Sequence, residues 1–146
     1  MRRVPLLIVL LTAAGCSVPR WPVDGIVTSP FGLRADGLSL EIHHGIDIDV
    51  PRGTPVRAMA PGRVAYAGSM RGYGQVVMID HGGGTRTVYA HLSEIQVREG
   101  QRLEGRPVIA LSGSSGRASG AHLHFEIRRR GRAEDPVPLL GGFPRP

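Results

Sequence analysis

The chain predicts an all-β protein: an antiparallel β-sheet core with little helix. Three observations carry this. Glycine takes 21 of the 146 positions and proline 12, and both residues disfavour helix interiors. Short runs that alternate or stay apolar recur between turn residues, as strands joined by tight turns do. No segment of useful length carries the 3.6-residue apolar period of an amphipathic helix.

The strand candidates follow in chain order. Gly25–Thr28, Ile46–Val50, Val56–Ala60 and Arg63–Ala67 occupy the first half. Gln75–Asp80, Arg86–His91, Val108–Ser112 and His122–Arg128 occupy the second. The breakers are Pro51-Arg52-Gly53, Pro61-Gly62, Arg71-Gly72-Tyr73-Gly74 and Gly82-Gly83-Gly84. Gly113-Ser114-Ser115-Gly116 lacks the lysine and the helix of a phosphate-binding loop, so it reads as a strand connection.

Composition removes several function classes. The length suits one small domain. With 41% hydrophobic and 21% charged residues the chain is too apolar to stay disordered. Cys16 is the single cysteine, which excludes an internal disulfide and a cysteine-rich zinc finger. The formal charge is +6, and every basic residue is arginine. Arg128, Arg129, Arg130 and Arg132 form the one dense basic run. No aromatic residues interleave with it, so no stacking platform for nucleic acid is expected.

The N-terminus reads as an export address. Arg2 and Arg3 precede the apolar run Val4–Leu11, and small residues Thr12 to Gly15 follow. This is the layout of a secretory signal peptide, too short to span a bilayer. Cys16 directly after Ala13-Ala14-Gly15 resembles a bacterial lipobox, in which the cysteine is acylated and becomes the mature terminus; ordinary cleavage before Cys16, with small Ala13 and Gly15 at the required positions, is the alternative. The domain reading is a lipoprotein signal peptide at 1–15, a tether at 16–24 and a folded domain at 25–146. Ser17 in place of aspartate after the cysteine leans towards the periplasmic face of the outer membrane.

The histidines are His43, His44, His81, His91, His122 and His124. In a strand, residues two apart share a face, so His122 and His124 line one surface with Leu123 behind. His43 and Asp47 sit four apart at the entrance to a candidate strand. Three protein ligands plus an open position is the catalytic zinc pattern, and imidazole and carboxylate both suit zinc. His43, Asp47 and His124 would supply that set. His44 and His81 taken alone read as ordinary polar loop residues.

Four blocks resemble, in order and wording, the LytM-type zinc metallopeptidases, the lysostaphin-like M23 endopeptidases. They are Thr28-Ser-Pro-Phe-Gly-Leu-Arg34; His43-His-Gly-Ile-Asp47 running on to Val56; Tyr73-Gly74 with Ile79-Asp-His-Gly82 and Tyr89-Ala-His-Leu-Ser93; and Gly113 through His122-Leu-His-Phe-Glu126. The resemblance implies a duplicated hybrid motif fold with a groove walled by loops. It implies that His43, Asp47 and His124 hold Zn2+ and that His91 and His122 are the catalytic histidines outside the ligand set. It gives His44 no role. Tyr73, Tyr89 and Arg34 become candidate groove residues, with packing or loop capping as the alternative for each. Glu126 and Asp80 are candidate acceptors for the far ring nitrogens, with salt bridging or exposure as the alternative. Gln75, Arg106 and Ala110 depart from the usual asparagine and glycines.

The implied function is a zinc endopeptidase, acting as a monomer, that cuts peptide crosslinks of bacterial peptidoglycan. In a Gram-negative envelope the bond would be D-Ala to diaminopimelate. The alternative is an envelope regulator that activates a cell-wall amidase in division without cutting. A third class is a peptidoglycan-binding lipoprotein that uses the groove without cutting. The partners implied are peptide stems, a membrane reached through Cys16, and an amidase or division protein.

Overall fold

The computed structural model describes residues 18–36 and 39–146. The signal segment and Cys16 lie outside them. Twelve strands and one short helix follow in order: β1 (Ile26–Ser29), β2 (Gly32–Asp36), β3 (Ser39–His43), β4 (Ile46–Asp49), β5 (Pro55–Arg57), β6 (Gly62–Met70), β7 (Gly74–Gly82), β8 (Thr85–Ile95), β9 (Arg102–Leu103), β10 (Val108–Ser112), β11 (His122–Arg129), β12 (Arg132–Glu134) and α1 (Pro136–Leu139). Asp135 caps α1 by accepting from the Val137 N–H.

Every strand pairing is antiparallel. The main sheet has ten strands and runs β1-β4-β11-β8-β7-β6-β9. β10 joins β8 to β5, and β12 joins β11. β2 and β3 form a separate two-stranded sheet. All eight expected strands are present, although β5 stops at Arg57, short of the expected Ala60. β6 and β8 run further than their apolar patterns suggested, and the β2–β3 ribbon, β9 and β12 are additional.

The principal core lies under one face of the main sheet. Ile46, Ile48, Val56, Ile79, Tyr89, Leu92, Ile109, Leu123 and Phe125 are all fully buried there. Arg20–Val23, within the segment assigned as a tether, lies against this body. The Arg20 N–H donates to the Met59 carbonyl at 3.1 Å, the Trp21 indole donates to the Gly142 carbonyl at 3.1 Å, and Val23 is buried. A smaller cluster of Val76, Val88 and Ala90 with Tyr73 and Met78 covers the opposite face.

A polar chain crosses the principal core. The Met59 N–H donates to the Tyr89 phenol at 2.8 Å, and Thr87 Oγ1 lies 2.9 Å from that phenol. Thr87 Oγ1 is in turn 2.7 Å from His81 Nε2. A carbonyl only accepts, so His81 Nδ1 carries the proton that it gives to Pro61 O at 2.7 Å, and Nε2 is bare. His81 is therefore a half-buried strand residue and not a loop residue. Burial pushes its pKa below 6.5. Below pH 6.5 the unfolded chain takes up a proton that the folded chain refuses, so this group's contribution to stability falls as pH drops through 6.5. The urea midpoint is expected to fall less between pH 7.5 and 5.5 in His81→Gln than in the parent; equal falls would exclude the effect.

Candidate metal and catalytic centre

The site lies at one end of the main sheet, where β3, β4, β8 and β11 converge. Strand pairing brings its parts together. His124 pairs with Asp47 across β11–β4, and with Ala90 across β11–β8. Paired residues share a face, so His122, His124 and Glu126 stand on one face, while Leu123, Phe125 and Ile127 fill the principal core.

β8 follows the same alternation until His91. Val88 and Ala90 face the site side and Thr87 and Tyr89 face the core, so a regular strand would send residue 91 inward. His91 takes a left-handed φ of 59° instead, and the pairing registers of β8 shift around it. The backbone step turns its ring onto the site side, and Leu92 drops into the core. Such a conformation costs a non-glycine residue about 1 kcal/mol or more, and bulges of this kind re-aim side chains next to active sites. Tyr89 is thereby excluded from the groove. It is fully buried, with its ring 5.3 Å from that of Phe125, so its expected place on the groove is corrected to a core role.

Four imidazoles meet here, and each is fixed through one nitrogen. His43 Nδ1 donates to Pro30 O at 2.8 Å, His91 Nδ1 to Ser115 O at 2.8 Å, and His122 Nδ1 to Gly120 O at 3.0 Å. His124 Nε2 meets the Glu126 carboxylate at 3.0 Å. In its neutral form each ring therefore presents one bare nitrogen to the site. His43 Nε2 and His124 Nδ1 lie 3.1 Å apart. Asp47 Oδ1 lies 3.2 Å from the first and 2.8 Å from the second. His122 Nε2 is 3.7 Å from the same oxygen, and the His91 and His122 rings meet edge-on at 4.7 Å.

The donor chemistry fits a metal ion. Two bare nitrogens and a carboxylate oxygen, all within 3.2 Å of one another, repel unless positive charge sits among them. Two histidines and one carboxylate with a further position open is the ligand type of catalytic zinc. The electrostatics state the same demand. Burial alone would raise the Asp47 carboxyl, but the facing His124 and His43 nitrogens, when they carry protons, donate to it and hold it far below the usual carboxylate range. Burial would lower His124, but hydrogen bonds to Asp47 and Glu126 raise it above 6.5. His91, by contrast, is lowered by burial and stays neutral at pH 7.

Behind His124 stands Glu126, 0% exposed. Its Oε1 accepts from His124 Nε2 and from the Tyr73 hydroxyl at 2.8 Å, and its Oε2 accepts from Arg128 Nε at 2.6 Å. Arg128 also donates to the Tyr73 oxygen at 3.1 Å. Burial opposes ionisation of Glu126, but the His124 and Arg128 hydrogen bonds win and hold its pKa at about 2. Both fates expected for Glu126 are thus realised at once. Asp80 is at the far end of β7, paired with Arg86 at 3.1 Å, and has no part in the site.

A cleft of about 270 Å³ opens over these groups, lined among others by Arg34, His43, Tyr73, His91, Arg117 and His124. Arg34 reaches within 3.8 Å of Asp47 Oδ2, so two of the three groove candidates, Arg34 and Tyr73, are in place. His44 lines the cleft from the exposed side. Arg117 was not foreseen; nothing in its local sequence marks it. It is brought in by the loop after β10, where Gly74 and Gly116 touch so closely that a Cβ on either would fall 2.4 Å or less from backbone of the facing loop. Both have positive φ, 67° and 73°. This contact seats Ser115, whose carbonyl fixes His91.

The sequence model of peptidase family M23 matches residues 41–136, which span every one of these groups except Arg34 and the Pro30 carbonyl. The chain belongs to this family. Among curated M23 relatives, it is 45% identical over 113 residues to the DD-carboxypeptidase/endopeptidase Mpg of Neisseria meningitidis serogroup B, covering 76% of this chain and 26% of Mpg. It is 41% identical over 130 residues to the murein hydrolase activator NlpD of Salmonella dublin, covering 88% of this chain and 33% of NlpD. The chain thus spans about a quarter to a third of the length of these relatives. Among solved structures, a zinc-containing peptidase from Vibrio cholerae aligns with a TM-score of 0.77 and 32% identity, over 89% of this chain and 41% of that one. The M23 match and the antiparallel sheet agree with the family and fold that the four sequence blocks implied.

Proposed function

We propose that this M23 protein is a zinc-dependent endopeptidase of the bacterial envelope that hydrolyses peptide crosslinks of peptidoglycan, with D-Ala–diaminopimelate as the bond. The observation that carries the reading is the convergence of four bare imidazole nitrogens and one carboxylate beside an open cleft. His43, Asp47 and His124 hold the ion. Bound there, zinc supplies Lewis acidity to the attacking water and to the scissile carbonyl.

The remaining steps belong to side chains. His91, neutral at pH 7 because it is buried, has its Nε2 free to take a proton, as a general base must. His122 presents its own bare nitrogen beside it and serves as the partner that steadies the developing oxyanion or protonates the leaving amine. The carbonyls of Ser115 and Gly120 keep both rings in the tautomer this needs. Tyr73 and Arg117 border the cleft where a peptide stem would lie. Cys16 is the proposed acylation site, placing the protein at the periplasmic face of the outer membrane.

A second reading has its own support: the relative named as a murein hydrolase activator matches over 88% of this chain. One experiment separates the two. Exported protein loaded with zinc is incubated with purified crosslinked muropeptide dimers, and separately with intact sacculi plus a cell-wall amidase. Dimers are expected to become monomers with no amidase present. Dimers left intact alongside a stimulated amidase would replace the endopeptidase reading with the activator one.

A further inference from the structure

The end of the sheet opposite the four site histidines is built largely of glycine and arginine. Gly82, Gly83 and Gly84 turn β7 into β8, and Arg130 and Gly131 turn β11 into β12. Arg130 and Gly131 have φ of 49° and 81°, the left-handed pair of a two-residue hairpin. The Arg130 N–H donates to the Gly84 carbonyl at 2.8 Å, which locks the two turns together. Glycine turns offer no side chains as cover. Arg129, Arg130 and Arg132 are therefore exposed around a cleft of about 790 Å³. Among the described residues Glu134 is the one acid lining it, 3.7 Å from Arg129. Arg128 is engaged by Glu126 on the other side.

The chain enters the domain at this same end. Pro19 lines an adjoining cavity with Thr85 and Arg129, two residues that also line the arginine cleft. The contacts of Arg20 and Trp21 hold that entry point in place. Cys16 lies three residues earlier, a reach of at most about 11 Å for extended chain. His122 is seven residues from Arg129 along β11, or about 23 Å at the strand rise.

We propose that the Arg129–Arg130–Arg132 hairpin is a second membrane contact, binding phosphate groups of anionic phospholipids in the bilayer that holds Cys16. The inference rests on acylation of Cys16. An acyl chain there keeps Pro19, beside the hairpin, within about 11 Å of the headgroups, close to the Debye length of ~8–10 Å over which charge is felt. Guanidinium pairs with phosphate through two parallel hydrogen bonds. The catalytic groove then faces away from the lipid, at the far end of β11. The arginine run that the peptidase reading leaves without a role acquires one, as an orienting contact.

The test uses protein recovered after export, as parent and as Cys16→Ser, sedimented with vesicles of phosphatidylglycerol and phosphatidylcholine or of phosphatidylcholine alone. Cys16→Ser is expected to pellet with the anionic vesicles only, and to be released by high salt. Adding Arg129→Gln, Arg130→Gln and Arg132→Gln should lower that partitioning by at least ~10-fold, with dimer cleavage in solution unchanged. Arg130→Gly, which suits the left-handed turn, should lower it in part without disturbing the fold. Equal binding by the triple variant, equal binding to neutral vesicles, or arginine-dependent binding to sacculi with none to vesicles would each overturn the proposal. The mass of the exported parent reads acylation separately: an unmodified Cys16 removes the anchor, and the vesicle result still judges the hairpin.

Discussion

Asp47→Ala is expected to lose zinc and to lower cleavage of crosslinked dimers by more than about 1,000-fold. Asp47 is the single anion among the three donors, and its Oδ1 lies within 3.2 Å of both bare nitrogens. Without it, only two imidazoles remain, and no anion touches the ion directly. Several kcal/mol of transition-state stabilisation is lost with the ion, and each 1.4 kcal/mol is tenfold in rate. Asp47→Asn keeps the shape and removes the charge, so it should fail almost as completely. The fold should survive, because Asp47 sits at the rim and is 16% exposed at its side chain. Zinc per chain by elemental analysis, near-ultraviolet circular dichroism and dimer turnover measure the three parts. A variant that keeps parental zinc and still cuts would remove Asp47 from the ligand set.

Much of this was legible in the sequence, and what escaped has physical reasons. The His122/His124 pair could be placed on one face from strand periodicity alone, and Asp47 pairs with His124 across the sheet. Glu126 continues the same spacing, but its partners Tyr73 and Arg128 are 53 and 2 residues away, and only the folded chain brings all three together. Tyr89 misled because alternation puts it one step from the site side, and nothing in the residue order announces the left-handed turn at His91. The β2–β3 ribbon escaped for the opposite reason. Leu40 and Ile42 alternate as a strand should, yet they are 72% and 64% exposed, so the pattern pointed to no core. β9 and β12, two and three residues long, are too short to carry any period.

Glu126→Ala is expected to cost about 2–4 kcal/mol of stability and to weaken zinc binding ~10–100-fold. The carboxylate is fully buried and accepts three hydrogen bonds, one from a cationic guanidinium. Its removal leaves the His124 Nε2–H unpaired inside the protein, and buried groups stripped of a charged partner are costly. Arg128 and Tyr73 are partly exposed, so water repairs their share, which keeps the estimate below the upper range for a buried pair. The metal effect is separate: without the carboxylate, His124 no longer holds the tautomer that leaves Nδ1 bare. Glu126→Gln can still accept from His124 but sets an amide N–H against Arg128 or Tyr73, so it should fall between parent and alanine. The parent's contribution is present above pH 4.5 and is lost as pH falls through about 2. Urea unfolding and chelator competition read the two effects; parental zinc affinity in the alanine variant would refute the link.

His43 is the last residue of β3, while Asp47 and His124 stand on the ten-stranded sheet. Among the described residues the ribbon that ends in His43 pairs only with itself and turns Leu33, Leu40 and Ile42 to solvent, and a lone two-stranded hairpin is marginal in water. An ion shared by these three residues would therefore be a rivet between a stiff body and a soft flap. By linkage, what tightens one must tighten the other: a molecule settling on the ribbon's bare apolar face raises affinity for the ion, and the ion slows amide exchange along the ribbon by the same coupling.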